Sequence, residues 1–224
     1  MTPFVDKNHD TLQSMLRAYR YATNEVVIDG HLQRLDKMVP NATMPWHRSK
    51  LLARIAAKIE APNCLELGTN AGFTTARIAA ACPNGKLITI DGQRSMLDMA
   101  RARCESLGLH NITYIHGLFS EVLKPLCADY PPFDLVLIDG DHCEEATLGY
   151  LVILRTAMRP CSVIVLDDIN HSAQMKRCWQ RVKKLDWITA TVEFKKIGIC
   201  IIDRNVTNLP ACHLRLPWFM HRLV

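Results

Sequence analysis

From residue 63 to residue 166 five short apolar runs alternate with helix-periodic stretches, and this alternation restricts the fold more than any other feature. The runs NCLEL (63–67), KLITI (86–90), NITYI (111–115), FDLVLI (133–138) and SVIVL (162–166) are almost continuous in apolar character, as strands covered on both faces should be. The stretches around 72–82, 94–107, 118–129 and 144–158 carry helical spacing and helical lengths. Strand and helix in turn predict a parallel sheet with right-handed crossovers. The end of the pattern differs. ATVEFKKIGICIIDR reads as two strand-like runs joined at Lys195 and Lys196, or one bent strand, with no helix between. That predicts an antiparallel hairpin closing the sheet.

Ahead of this core, Leu12, Met15, Leu16 and Tyr19 recur at helical spacing, as do Leu51, Leu52, Ile55 and Ile59. VPNATMPWHRSK lies between them as an irregular connection. The chain therefore divides into a helical extension or cap (1–60), a core (61–205) and a tail (206–224). A length of 224 residues suits one doubly wound core. The net charge of +5 comes without long basic blocks, so no nucleic-acid partner is expected. Nine scattered cysteines lack any C-x-x-C pair, which reads as a reducing compartment rather than a disulfide framework or a zinc site. The N-terminus has no secretory pattern, and no apolar run approaches the ~20 residues needed for an integral membrane segment. A cytoplasmic location is the expectation.

The first βα turn, LELGTNAGFTT, puts Glu66 in the strand end, then Gly68 and Gly72 before a helix opens. Glycine lets the backbone turn tightly and a ligand approach the main chain, and the helix N-terminus offers unpaired N–H groups. The spacing is G-x-x-x-G, neither the dinucleotide fingerprint nor a phosphate loop. With Glu66 beside it, the turn suits a ligand with a positive amino group and no phosphate. The second strand ends at Asp91, 23 residues after Gly68, where an acid can bind both hydroxyls of a ribose. Asp91 can also be read as the N-cap of the next helix.

Two later strands end in acids, Asp139 on one and Asp167–Asp168 on the next. In an open parallel sheet ligands bind outside the carboxyl ends of the strands, and neighbouring strands stand about 4.8 Å apart. Three carboxylates that close repel one another unless a cation sits among them. Oxygen-only ligands select a hard ion, Mg²⁺ first, then Ca²⁺ or Mn²⁺. In the other reading Asp139 orients a cofactor's amino group while Asp167 and Asp168 cap a helix. His142 follows Asp139 by three positions, and an imidazole titrating near about 6.5 suits proton removal at neutral pH. Asp141 can orient that imidazole or cap the following helix, and His171 is a second candidate base.

LELGTNAGFTT, ITIDGQ, FDLVLIDGDH and SVIVLDDIN together resemble class I S-adenosylmethionine-dependent methyltransferases over roughly residues 46–205. The last two stretches are similar to those of small-molecule O-methyltransferases, the catechol O-methyltransferase-like group and bacterial enzymes acting on sugars and natural products. The resemblance implies a Rossmann-like α/β fold, a seven-stranded, mostly parallel sheet of order 3-2-1-4-5-7-6. It implies S-adenosyl-L-methionine as cofactor, with Glu66, Gly68 and Gly72 lining the methionine end and Thr69, Asn70 and Thr74 in the same turn. Asp91 would hold the ribose, Gly117, Leu118 and Ser120 would flank the adenine, and Asp139 would also touch the cofactor. Asp139, Asp167 and Asp168 match the metal positions of the metal-dependent members. His142 stands where catechol-type enzymes have a lysine, which argues against assuming a catechol acceptor.

The expected activity is therefore O-methylation of a small-molecule hydroxyl with His142 and Asp139 as catalytic residues, assisted by a divalent metal or by His142 alone. The N-terminal helices are expected to cover the acceptor, with MPWHRSK part of its wall. Methylation of protein or RNA, a nicotinamide-dependent oxidoreductase and a non-catalytic adenosylmethionine-binding protein are the competing readings. In the tail, LPACHLRLPWFMHRLV reads as packing onto the body or onto a second copy of the chain, leaving a homodimer open. A lid or a membrane-surface contact is the other reading of the tail. KRCWQRVKK (176–184) reads as a solvated helix face.

Overall fold

The computed structural model describes residues 44–205 and 212–215. Helix α1 (Trp46–Ala57) leads into β1 (Asn63–Leu67), α2 (Phe73–Ala81), β2 (Lys86–Asp91), α3 (Arg94–Ser106) and β3 (Ile112–His116). Then come α4 (Phe119–Asp129), β4 (Phe133–Ile138), α5 (Glu144–Leu154), β5 (Met158–Leu166) and α6 (Ala173–Val182). The hairpin β6 (Ala190–Phe194) and β7 (Ile197–Asp203) and a short β8 (Cys212–Arg215) finish the described chain. The helical reading at Leu12–Tyr19, the Trp218–Phe219 stretch and most of the extension lie outside the described residues. No helix among the described residues is long and apolar enough to cross a membrane.

The strand order is 3-2-1-4-5-7-6, as the resemblance implied, with β8 added beside β6. Strands β1 to β5 pair in parallel, and β7 runs antiparallel between β5 and β6. The expected hairpin forms at Lys195–Lys196, where Lys195 takes a positive φ of 54°. The tail thus contributes a strand, paired with β6 from Cys212 to Arg215.

Period-two alternation divides the buried side chains between two faces. Leu65, Leu67, Val136 and Ile138 pack with α4, α5 and α6 through Phe119, Leu123, Leu151, Cys178 and Trp179. Cys64, Leu87, Leu135 and Leu137 face α1 and α2 through Leu52, Ala56 and Ile78. Every residue of β4 is buried, which is why FDLVLI shows no polar alternation beyond Asp134. Asp134 accepts from the Asn63 amide and pairs with Arg159, so its charge is compensated at the strand's entry. Helix α5 stops at Leu154, short of the expected 158, because Met158 already pairs with Phe133 as the start of β5. The register shifts between that pair and Leu135–Val163, next to Pro160, which has no N–H for the ladder.

Candidate active site

The carboxyl ends of β1 to β5 all open on one edge of the sheet, and the order reverses between β1 and β4. A crevice at such a reversal is where open α/β sheets take their ligands. The turn after β1 forms one wall. Gly68 has φ of 103°, and a Cβ there would lie 2.1 Å from the Asp139 carbonyl oxygen. Gly72 likewise sits against Ala100 of α3, at 2.5 Å from its Cβ. Both glycines serve close approach of the chain to itself: the first joins the ends of β1 and β4, the second seats α2 on α3.

Glu66 is fully buried in β1. Its Oε2 accepts from the Thr75 and Thr89 hydroxyls at 2.6 and 2.7 Å, while Oε1 has no hydrogen-bond partner among the described residues. Burial pushes its pKa up to about 7, against the pull of the two hydroxyls. Between pH 4.5 and about 7 the folded chain therefore holds a proton that the unfolded chain has released. The group's contribution to stability is complete below that window and is lost as pH rises through it, by on the order of 3 kcal/mol. In Glu66→Gln the pH dependence of the denaturation midpoint should flatten across this window. An unchanged slope would assign the proton elsewhere.

Thr69 is buried, with its hydroxyl 2.6 Å from that of Thr89, so its side chain supports the turn from within. Thr74 is also buried, at the start of α2. Asn70, at a positive φ of 46°, donates its backbone N–H to Asp91 Oδ2 at 2.8 Å. Asp91 Oδ1 accepts from the Gln93 amide at 2.8 Å. The N-cap of α3 is Gln93 rather than Asp91, so Asp91 is held from both sides of its strand end as a fixed acceptor. Gly117 follows β3, bonded to the Asp91 carbonyl, and Leu118 and Ser120 are exposed beyond it.

At the other wall, Asp139 and Asp167 continue the β4–β5 ladder, the Asp167 amide donating to the Ile138 carbonyl. Asp139 is partly buried and its pKa is raised well above the usual carboxylate range, first by burial and then by Asp167, Glu66 and Asp168. Asp167 is raised by burial and pulled back by Arg48. His142 Nε2 stands 3.8 Å from Asp139 Oδ1, and His171 Nδ1 stands 3.7 Å from Asp168 Oδ2. The two imidazoles lie 5.8 Å apart between centroids, so both candidate bases reach the same patch. Asp141 neither caps α5, whose N-cap is Cys143, nor bonds to His142; its carboxylate accepts from the Tyr150 hydroxyl. Nor do Asp167 and Asp168 cap α6, where Ser172 accepts from the Met175 amide.

Arg48 is the residue at these strand ends that the sequence reading missed. Its Nη1 lies 2.9 Å from Asp167 Oδ1 and 3.5 Å from Asp168 Oδ1, and Lys196 Nζ lies 3.5 Å from the same Asp168 oxygen. A guanidinium thus stands against two of the three carboxylates, Asp167 and Asp168. Among the described residues no group of three or more His, Cys, Asp or Glu is gathered so as to hold a metal ion. As arranged, the oxygens do not fit a resident Mg²⁺, because Arg48 stands against Asp167 Oδ1 and Asp168 Oδ1 and Lys196 stands against the same Asp168 oxygen. Only the placing of MPWHRSK in the acceptor wall hinted at Arg48; no spacing rule singles it out.

Residues 65–169 match a methyltransferase domain family. A catechol O-methyltransferase of Mycobacterium tuberculosis is 30% identical over 133 residues, covering 58% of this chain and 59% of its own length. Another from Niastella koreensis is 31% identical over 140 residues, covering 61% and 62%. The chain thus spans less than two thirds of these curated relatives. The structure of a Bacillus cereus O-methyltransferase in complex with SAH superposes with a TM-score of 0.66 at 19% identity, over 79% of this chain and 91% of that one. That likeness shows the fold.

Proposed function

We propose, from the premise that residues 65–169 form a methyltransferase domain on this fold, that the chain methylates a hydroxyl oxygen of a small molecule with S-adenosylmethionine. One observation carries the reading: an acceptor-rich, phosphate-averse crevice built on Glu66 and Asp91 adjoins a carboxylate–imidazole pair, Asp139 and His142. The two curated relatives are named as catechol O-methyltransferases, which supports an oxygen acceptor.

The residues present fit the donor. Glu66 Oε1, which has no partner among the described residues, is an acceptor for its ammonium group, and Asp91, pinned by two amides, keeps lone pairs for ribose hydroxyls. Gly117, Leu118 and Ser120 are assigned to the adenine side. When bound, S-adenosylmethionine supplies a methyl group on a sulfonium, electrophilic toward an oxygen aligned behind it. His142 would take up the acceptor's hydroxyl proton, on the ring nitrogen facing away from Asp139, so that the oxygen can displace the thioether from the methyl group. Asp139, made more basic by burial and by its acidic neighbours, then steadies the imidazolium across 3.8 Å. Negative acceptor and positive donor cancel in the transition state, so a low-dielectric crevice lowers the barrier.

The test is calorimetric titration with S-adenosylmethionine and with NAD, followed by transfer of labelled methyl to a panel of hydroxylated acceptors. Binding of NAD alone would overturn the proposal. Asp91→Ala loses two charge-assisted hydrogen bonds and should weaken donor binding roughly 30- to 100-fold. Asp91→Asn, which keeps one acceptor oxygen, should lose less. Equal affinity in all three proteins would remove Asp91 from the donor site.

A further inference from the structure

We infer that Arg48 is the built-in counter-cation of the carboxylate group at the ends of β4 and β5, occupying the role that a divalent metal would otherwise have to fill. Arg48 lies in the first turn of α1, where the helix dipole disfavours positive charge, and no acidic residue shares that turn. It is nevertheless buried, and the groups that offset this placement are carboxylates far away in sequence: Asp167 at 2.9 Å and Asp168 at 3.5 Å. Lys196, from the β6–β7 turn, takes the same Asp168 oxygen at 3.5 Å. Asp139 faces His142. Each of these three acids, Asp139, Asp167 and Asp168, therefore has a positive or protonatable partner from the chain itself.

A hard ion needs six or more oxygens at about 2.0–2.6 Å. At Asp168 Oδ1 such an ion would meet the repulsion of a guanidinium and an ammonium group, each 3.5 Å away. Arginine suits the task because it stays charged at every working pH and is less strongly hydrated than an ammonium. Arg48 is thus a positioning residue. It neutralises Asp167 and Asp168, fixes the end of β5, and leaves Asp139 and His142 to handle the acceptor's proton. It also lies outside the matched residues 65–169, so the helix that precedes the domain completes its site.

The inference deepens the methyl-transfer reading, but its readout, metal binding, does not depend on turnover. The full chain and its Arg48→Ala, Arg48→Met and Arg48→Lys variants are titrated with Mn²⁺, and free ion is followed by electron paramagnetic resonance. The unmodified chain should show no saturable Mn²⁺ binding below about 1 mM, the upper end of the range for weak oxygen-ligand sites. Arg48→Ala and Arg48→Met, which leave the carboxylates uncompensated, should bind one Mn²⁺ at least about tenfold more tightly. Arg48→Lys should not. Saturable micromolar Mn²⁺ binding by the unmodified chain, a result available even if every variant fails to fold, would overturn the inference. So would folded Ala and Met variants that bind no more tightly than the parent.

Discussion

His142→Ala is expected to lower turnover by roughly 10²- to 10³-fold while leaving S-adenosylmethionine affinity within about twofold, the range for loss of a general base. The asymmetry follows from position. His142 lies past the end of β4, beside Asp139, and no hydrogen bond among the described residues joins its side chain to Glu66 or Asp91, the acids assigned to the donor. Its backbone is set independently of the imidazole: His142 has φ of 38°, and its amide donates to the Gly140 carbonyl at 2.7 Å. Truncation should therefore remove a proton acceptor without moving the loop. His171 is the neighbour able to take over, at 5.8 Å between rings. If His171→Ala, rather than His142→Ala, carries the loss in turnover, the base is His171. Parallel losses in turnover and donor affinity would show that His142 shapes the donor site.

Gly68→Ala is expected to destabilise the fold by about 2–5 kcal/mol, summing backbone strain and overpacking. The introduced methyl would lie 2.1 Å from the Asp139 carbonyl oxygen and 2.9 Å from its carbon. Those atoms belong to backbone held in the β1–β4 ladder by the Asp139 amide on Leu67. A flexible side chain could swing aside; this ladder cannot without parting the strand ends that carry Glu66 and Asp139. Gly108 provides the comparison, with φ of 70° and no atom of the described residues within 4 Å of where a Cβ would lie. Gly108→Ala should cost only about 1 kcal/mol, the left-handed backbone penalty alone. Denaturation midpoints of the two variants separate collision from strain, and equal losses would show that the β1–β4 contact yields easily.

How much could be read from the chain depended on range. The strands from β1 to β7 and most helices announced themselves through local periodicity, whereas β8 was read only as packing of the tail; the end of α5 was misplaced because Met158 pairs with Phe133, a contact invisible to a sequence window. The acids at the strand ends were legible because a buried strand has no structural need for them. What Asp141 does was not legible, since its partner Tyr150 lies on the next helix and outcompetes both readings made from neighbouring residues. Arg48 was least legible, because its carboxylate partners lie 119 and 120 positions away.

The order of elements from β1 to β7, the hairpin that closes the sheet and the strand ends that carry acids can be read from the residues alone. Periodicity, glycine placement and strand-end polarity are local, and the strong handedness of βαβ crossovers turns that local order into topology. Which charge compensates which acid, that Glu66 keeps a buried oxygen without a partner among the described residues, and that the Asp139 backbone requires Gly68 emerge only once the chain is folded. Coulomb and steric terms act over a few ångströms in space without regard to sequence separation, so they take effect only once the sheet has brought the five strand ends together.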